Sequence, residues 1–424
     1  MESPVTPEDV SRGHGGNSLP RVLALDAARG IAVLGMFAVH AGPQRGMQGA
    51  ELLRPFEGRS SALFAVLAGV SLALMSGGAT PDRGLDGRRD LVRIAVRAVL
   101  IALVGLGLAQ VHSGIGILII LTFYGLYFLL ALPLLRLSAR SLALLAAVWA
   151  VAGPILSFVI RSHMEQNSFG GNPNFGMFTS LSGLGELAEM LVITGTYPVL
   201  TWMPFVLAGM ALGRLDIRSL WWVQVAGAGA LLTVLGYGGS WLMQNPFGGR
   251  AQLIAQLRQT LTESGDPDDV LRQVNLGEIV DSVGFGAVPT GNWWWLTVDS
   301  PHSGTPFEVI GSTGVAFLVI GVLLAITPRA VIPLRSLISA GSCALTLYIG
   351  QVVALGVLVP MPDPDATSLP GGIHGPSWWL LALLVFGSLT LATLWRSVFR
   401  RGPAEWLLHR VTGGITRRLV PDRG

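Results

Sequence analysis

The chain has 424 residues, is 51% hydrophobic and only 12% charged, and has a mean hydropathy of +0.59. Those values exclude an ordinary soluble protein and predict an all-α, polytopic integral membrane helix bundle. All 28 basic residues are arginine, which removes lysine-based chemistry; the net charge of +3 is too small and dispersed for nucleic acid; and Cys343, alone, can form neither an internal disulfide nor a cysteine metal site.

Residues 1–20, rich in Ser, Gly and Pro, read as a disordered N-terminus. They do not read as a cleavable signal, because the first apolar run starts beyond them without a small-residue cleavage pattern. Windows of about 20 apolar residues, the length that spans a bilayer, fall at 22–41, 60–77, 92–111, 115–135, 141–160, 193–213, 219–243, 308–328, 333–358 and 377–397. They predict about ten transmembrane helices. The sixth is interrupted by Thr194-Gly-Thr-Tyr-Pro198 and by Pro204.

Arginine placement sets the predicted orientation. One side holds 21 arginines: Arg12, Arg21 and Arg29; Arg83, Arg88, Arg89, Arg93 and Arg97; Arg136 and Arg140; Arg214 and Arg218; Arg329 and Arg335; and seven in the C-terminal tail. The other side holds seven: Arg45, Arg54, Arg59, Arg161, Arg250, Arg258 and Arg272. Both termini are therefore expected in the cytoplasm. The expected organisation is a cytoplasmic N-terminus (1–20), an N-terminal transmembrane region (21–243), an extracytoplasmic cap (244–307), a C-terminal transmembrane region (308–400) and a cytoplasmic tail (401–424). In the cap, Leu253, Ile254, Leu257 and Leu261 follow helical spacing, as in an amphipathic helix on the outer face. Trp293-Trp294-Trp295 reads most simply as an interfacial belt, and alternatively as a stacking platform for a sugar ring. The other long outer connection, 161–192, ends in an acidic stretch with Glu186 and Glu189. No internal repeat is visible.

Ionisable groups in an apolar span are costly, so their default reading is a functional or paired site. The first helix carries Asp26, Arg29 and His40. Asp26 and Arg29 share a face. Arg29 and His40 are separated by about 16 Å of helix, roughly three turns. Of seven histidines, His14 and His409 fall in the tails, while His40, His112, His163, His302 and His374 fall near the outer surface. His302 is flanked by Asp299, Ser303, Thr305 and Glu308. An imidazole there can be a general base or a transient acyl carrier, or simply a structural hydrogen-bonder. No nucleophile elbow, zinc-ligand spacing, Walker or dinucleotide glycine pattern occurs, so no metal is predicted. Gln110, Thr122, Tyr124, Thr346, Tyr348 and Gln351 are expected to hydrogen-bond between helices. Gly105, Gly107, Gly209 and Gly213 are expected to allow close packing.

Arg29, ten residues, then His40 resembles the Arg-x10-His signature of acyltransferase-3-type membrane acyltransferases. The run Leu25-Asp26-Ala-Ala-Arg29-Gly30-Ile-Ala-Val-Leu-Gly-Met-Phe and the second helix, from Gly58-Arg59-Ser60-Ser61, also resemble heparan-α-glucosaminide N-acetyltransferase and its bacterial relatives. Pro301-His302-Ser303-Gly304-Thr305-Pro306-Phe307, Gly341 to Gln351, and Trp395 to Trp406 resemble the YeiB-like bacterial membrane family. The resemblance implies a multi-pass protein of the bacterial cytoplasmic membrane. It would move an acyl group, acetyl by preference, from cytoplasmic acyl-CoA to an extracytoplasmic sugar or glycolipid. Partners would be the lipid bilayer and that carbohydrate, not nucleic acid, and an oligomer is compatible with it. On that reading the catalytic set is His40, His302, Asp299 and Ser303, and the acyl-CoA set is Asp26, Arg29, Arg59, Arg88, Arg89 and Arg93. One departure matters: the loop at 42–59 contains Glu51 and Glu57 but no histidine, where the glucosaminide acetyltransferase keeps its acyl-carrying one. Direct transfer assisted by His40 or His302 therefore stands beside an acyl-histidine route. The competing readings are a transporter or flippase for a lipid-linked or small polar solute, and a non-catalytic membrane scaffold.

Overall fold

Leu23–Ala41 forms α1, and residues on every side of it are buried, so it has no solvent or lipid stripe and sits inside the bundle. The structure is a computed structural model that describes residues 22–111, 116–164, 170–216, 222–263, 275–282, 284–359 and 375–421. Residues 1–20, His112 and His374 lie outside the described residues. Seven described helices are long and apolar enough to cross a membrane, up to nine if each of two bent pairs is one span. No strand occurs among the described residues.

After α1, a 3-10 turn at Ala50–Phe56 leads into α2 (Arg59–Met75), followed by α3 (Gly84–Leu108). The fourth predicted window differs from expectation. It holds only α4 (Leu121–Ala131) and a short 3-10 extension to Leu134, because residues 116–120 are not helical. Their backbone is satisfied from outside: Ile119 N donates to Asn172 Oδ1 (2.7 Å), Asn172 Nδ2 to Ile117 O (2.7 Å), and Ile120 N to the Tyr348 hydroxyl (3.3 Å). Irregular backbone at membrane depth persists only with such partners.

Next come α5 (Ala139–Arg161), α6 (Leu181–Glu189) and α7 (Val199–Gly213). The acidic stretch expected in a loop is helical: α6, capped by Ser180, runs through a π turn at Met190–Thr194 and meets α7 at 59°. The bend is the Gly195-to-Pro198 interruption of the sixth window. Almost all of α7 is buried, which makes it a second central helix. It crosses α2 closely: a side chain at Gly209 would strike the Val66 carbonyl, and one at Gly69 the Val206 carbonyl. Gly213 packs likewise against α2, and Gly105 against Thr122, but Gly107 is free of neighbours. Three of the four small-residue expectations thus hold.

The next span is α8 (Trp222–Thr233), a π turn and α9 (Gly239–Gln244); α10 (Gly249–Glu263) and α11 (Leu276–Ser282) build the cap. Leu253, Ile254 and Leu257 of α10 pack on Trp294, Trp295, Leu296, Val298 and Phe158. The amphipathic helix therefore closes a small core instead of lying on lipid. Of the three tryptophans only Trp293 is exposed, at 59%, and it packs on Phe158 with ring centroids 4.5 Å apart. The belt expectation fails for Trp295, which is buried in that core.

Thr305 caps α12 (Pro306–Ile326), with Glu308 N donating to its hydroxyl at 3.1 Å. Then α13 (Arg335–Ser342) and α14 (Ala344–Leu358) meet at 80°, and α15 (Trp378–Val398) and α16 (Pro403–Leu419) complete the chain. α1 is surrounded by α2, α12, α13, α14 and α15. At the α1–α13 crossing, Gly341 lies on the Asp26 carbonyl and Gly30 on the Leu337 carbonyl. One apolar core joins both halves of the chain.

Gly209→Val is expected to lower the thermal unfolding midpoint of the detergent-solubilised protein by the equivalent of about 1–3 kcal/mol or more, because the added methyls have only backbone to displace. Gly107→Ala, on an exposed helical position, is expected to leave it unchanged or raise it by up to about 1 kcal/mol.

Candidate active site

α1 carries a polar group at each end, and its neighbours complete a layer around each. At the Arg29 end, Asp26 is 2% exposed and accepts Arg29 Nη1 at 2.8 Å; Arg29 Nη2 donates to Ser71 Oγ at 2.8 Å, and the Ser71 hydroxyl donates a hydrogen bond to the Leu67 carbonyl at 2.7 Å. Arg93 pairs with Asp90 at 2.6 Å and also holds the Met75 carbonyl at the end of α2. Arg97, one turn further along α3, lies within electrostatic reach of Arg29, Glu405, Arg93 and Arg401. Glu405 closes this layer from α16. It accepts Leu345 N (2.7 Å), Thr346 N (3.2 Å) and the Thr346 hydroxyl (2.5 Å), which caps the break between α13 and α14. Close by, buried Arg214 donates to the carbonyls of Ala73 (2.9 Å), Ser76 (3.2 Å) and Gly78 (2.7 Å), and to Leu135 O. It fastens the end of α2, a task beyond its use as a topology marker.

At the other end, His40 Nδ1 is 3.0 Å from Gln351 Nε2, and the same amide reaches Met36 O at 3.4 Å. The charge on His40 acts on His302, so the two imidazoles lie within electrostatic reach of each other although 262 positions separate them in sequence. Trp202 stacks on His302 (centroids 5.6 Å, 20° between planes), and Tyr197 meets it edge-on (5.5 Å, 79°). Burial, reinforced by His40, pulls the His302 imidazole down from 6.5 to about 4, so it is neutral near pH 7. Its Nδ1 is buried without a hydrogen-bond partner. His302 is also the one non-glycine residue with positive φ (+59°) among the described residues. Gly286 N donates to its carbonyl at 2.6 Å and Ser303 N to Ser300 O at 3.1 Å, which over-determines the turn. Gly58, at the start of α2, lies against Pro301 and the His302 nitrogen.

The residues expected as catalytic and acyl-CoA-binding are placed unevenly. His40 and His302 share one end of α1. Asp299 stands beside Arg59 and Ser240; burial raises its carboxyl above the usual range while those two oppose the shift. Ser303 is fully buried, its hydroxyl 3.5 Å from Thr305 Oγ1, in the turn that enters α12. Asp26, Arg29 and Arg93 share the layer just described. Arg88 is exposed and Arg89 pairs with Asp86 at 3.6 Å, both in the first turns of α3. Arg59 belongs to the opposite end of α2 from Ser71, about 18 Å away along the helix. There its guanidinium lies 4.7 Å over the Tyr237 ring. Tyr348, Thr346 and Gln351 do bond between elements, whereas Thr122 Oγ1 and Tyr124 Oη are buried without partners. His163 bonds within its own helix end, Nδ1 to Val159 O at 2.8 Å. Tyr197 and Trp202 carried no sequence signal, since an aromatic in an apolar helix looks like packing and one in the break before it looks like part of the turn.

These features define a multi-pass helical membrane protein with an arginine-containing layer at one end of a central helix and two imidazoles within electrostatic reach of each other at the other. Residues 21–241, just over half of the chain, match the family described as heparan-alpha-glucosaminide N-acetyltransferase, catalytic, and the chain belongs to that family. Residues 258–415 match a second family, described as protein of unknown function (DUF418), the YeiB-like group. No curated protein matches the chain. The boundary between the matches falls in the cap, so His40 lies in one and His302 in the other.

Because the folded His302 titrates at about 4 and an unfolded histidine at 6.5, the unfolded chain binds more protons between those values. Stability from this group is complete above pH 6.5 and is lost as pH falls toward 4, by up to roughly 3 kcal/mol. His302→Asn, which tolerates the left-handed backbone, is expected to flatten that part of the decline in unfolding midpoints measured from pH 7.5 downward.

Proposed function

We propose that the protein is an integral membrane acyltransferase of the bacterial cytoplasmic membrane that moves an acetyl group from cytoplasmic acetyl-CoA to a sugar or glycan outside. The observation that carries this reading is that His40 and His302 lie within electrostatic reach of each other at one end of α1, with the Arg29 layer at the other, in a chain of the acetyltransferase family. The arginine bias supports a cytoplasmic Arg29 layer and outward-facing histidines.

Arg29, Arg93 and Arg97 would hold the phosphates of the donor by charge-assisted hydrogen bonds. A neutral imidazole, His40 or His302, would take the proton of the acceptor hydroxyl or amine as it attacks the thioester carbonyl. The carbon–sulfur bond then breaks and the imidazolium returns the proton to the departing thiolate. Gln351 fixes His40, while Trp202 and Tyr197 fix His302, so neither ring needs to reorganise. The absence of a histidine in residues 42–59 favours direct transfer over an acyl-histidine.

Membranes containing the protein are expected to transfer label from acetyl-CoA to an envelope glycan. His40→Ala or His302→Ala should reduce the rate about a hundredfold, and Arg29→Met should raise KM for acetyl-CoA about tenfold. Unchanged incorporation in both histidine variants rejects the roles given to them. Solute flux into proteoliposomes without acetyl-CoA would point instead to transport, which the two bent helix pairs would also suit.

A further inference from the structure

A second polar cluster adjoins the His302 turn and is not used by the transfer chemistry above. Glu308, in the first turn of α12, is 1% exposed. Its Oε1 accepts the Ser312 hydroxyl at 3.1 Å and the Gly304 N–H is nearby, but Oε2 is buried with no hydrogen-bond partner. A buried carboxylate oxygen without a donor is costly, and a ligand that brings one removes the cost. The charges that act on Glu308 are those of Arg59 and Asp299. Arg59 gives one N–H to the Arg54 carbonyl (3.2 Å) and lies over Tyr237, whose hydroxyl is 2.9 Å from Ser312 Oγ. A guanidinium has five N–H groups, so Arg59 keeps donors to spare. Arg59 and Asp299 are both only partly buried, whereas Glu308 is enclosed.

Spare donors from one guanidinium thus lie within electrostatic reach of a spare acceptor on Glu308 and of the Asp299 carboxyl. A sugar hydroxyl is at once donor and acceptor, and a pair of neighbouring hydroxyls matches such an alternating set. A carboxylate-bearing or phosphorylated ligand does not, because Glu308 and Asp299 would repel it. Gly58 fastens the start of α2 to the backbone of Pro301 and His302, so whatever Arg59 holds is held beside that turn. We infer that Arg59, Asp299 and Glu308 form a subsite for the hydroxyl groups of a neutral sugar next to His302. Within the acyl-transfer reading, on which this assignment of an acceptor rests, these are positioning residues.

The test is binding of methyl β-D-glucoside to the full-length protein in detergent, read as the shift of the unfolding midpoint across a concentration series, with acetyl-CoA titrated separately. The glucoside is expected to stabilise the wild type. Glu308→Gln puts an N–H where the acceptor oxygen was, and Arg59→Met removes the donors; each should weaken the glucoside at least tenfold and leave the acetyl-CoA shift unchanged. Glu308→Asp should retain part of the binding. If Glu308→Gln does not fold, Arg59→Met carries the same test. Equal glucoside binding by wild type and variants, or none by wild type, overturns the subsite and leaves a bound water as the partner of Oε2. Loss of glucoside binding in variants of a protein that transfers no acetyl group would uphold the subsite and reject the acyl-transfer reading.

Discussion

Inside an apolar bundle, every backbone N–H and C=O that leaves the helical ladder must find a partner within the protein, since no water is at hand. At three places among the described residues such groups recruit a distant residue. The α13–α14 break takes the Glu405 carboxylate from α16; the non-helical run before α4 takes Asn172 and Tyr348; the end of α2 takes Arg214 and Arg93. These contacts join segments scattered along the chain, so satisfying the backbone also determines which helices meet.

The same requirement shapes the two polar layers. Arg29 and Asp26 neutralise each other beside Ser71, which allows a charged pair on a helix enclosed by the bundle. Small residues at the α1–α13 and α2–α7 crossings bring backbones close enough for the layers to be built from short side chains. At the far end, the turn before α12 forces His302 into a left-handed conformation between Trp202 and Tyr197. Strain of this kind persists where surrounding contacts over-determine it, and here they come from α2, α7 and the cap.

Much of this was legible along the chain. Apolar length marked the spans, and the Gly195-to-Pro198 interruption marked the bend before α7. Asp26, Arg29 and His40 stood out because charge in an apolar run is expensive. Other features were not legible for equally physical reasons. The fourth window looked like a span because hydropathy does not register that Ile117, Ile119 and Ile120 have their backbone bonded by Asn172 and Tyr348. Trp295 looked interfacial because a tryptophan triplet reads the same in a membrane belt as in a cap core. Arg59 looked like one more cation for an anionic donor. Its helix instead carries it to the side of Asp299 and Glu308.

The sequence by itself determined that this is a helical membrane protein, which family it resembles, and which charges are costly enough to need a purpose. The class and the costly charges follow from composition, periodicity and local spacing, and the resemblance from its motifs, all of which a linear chain carries without folding. Only the tertiary structure decided that His40 and His302 share one end of α1, that Gln351 holds the first and Trp202 the second, and that Glu308 is left with an unanswered oxygen. Such juxtapositions depend on which helices cross and at what depth. Backbone satisfaction and close packing settle that between residues hundreds of positions apart.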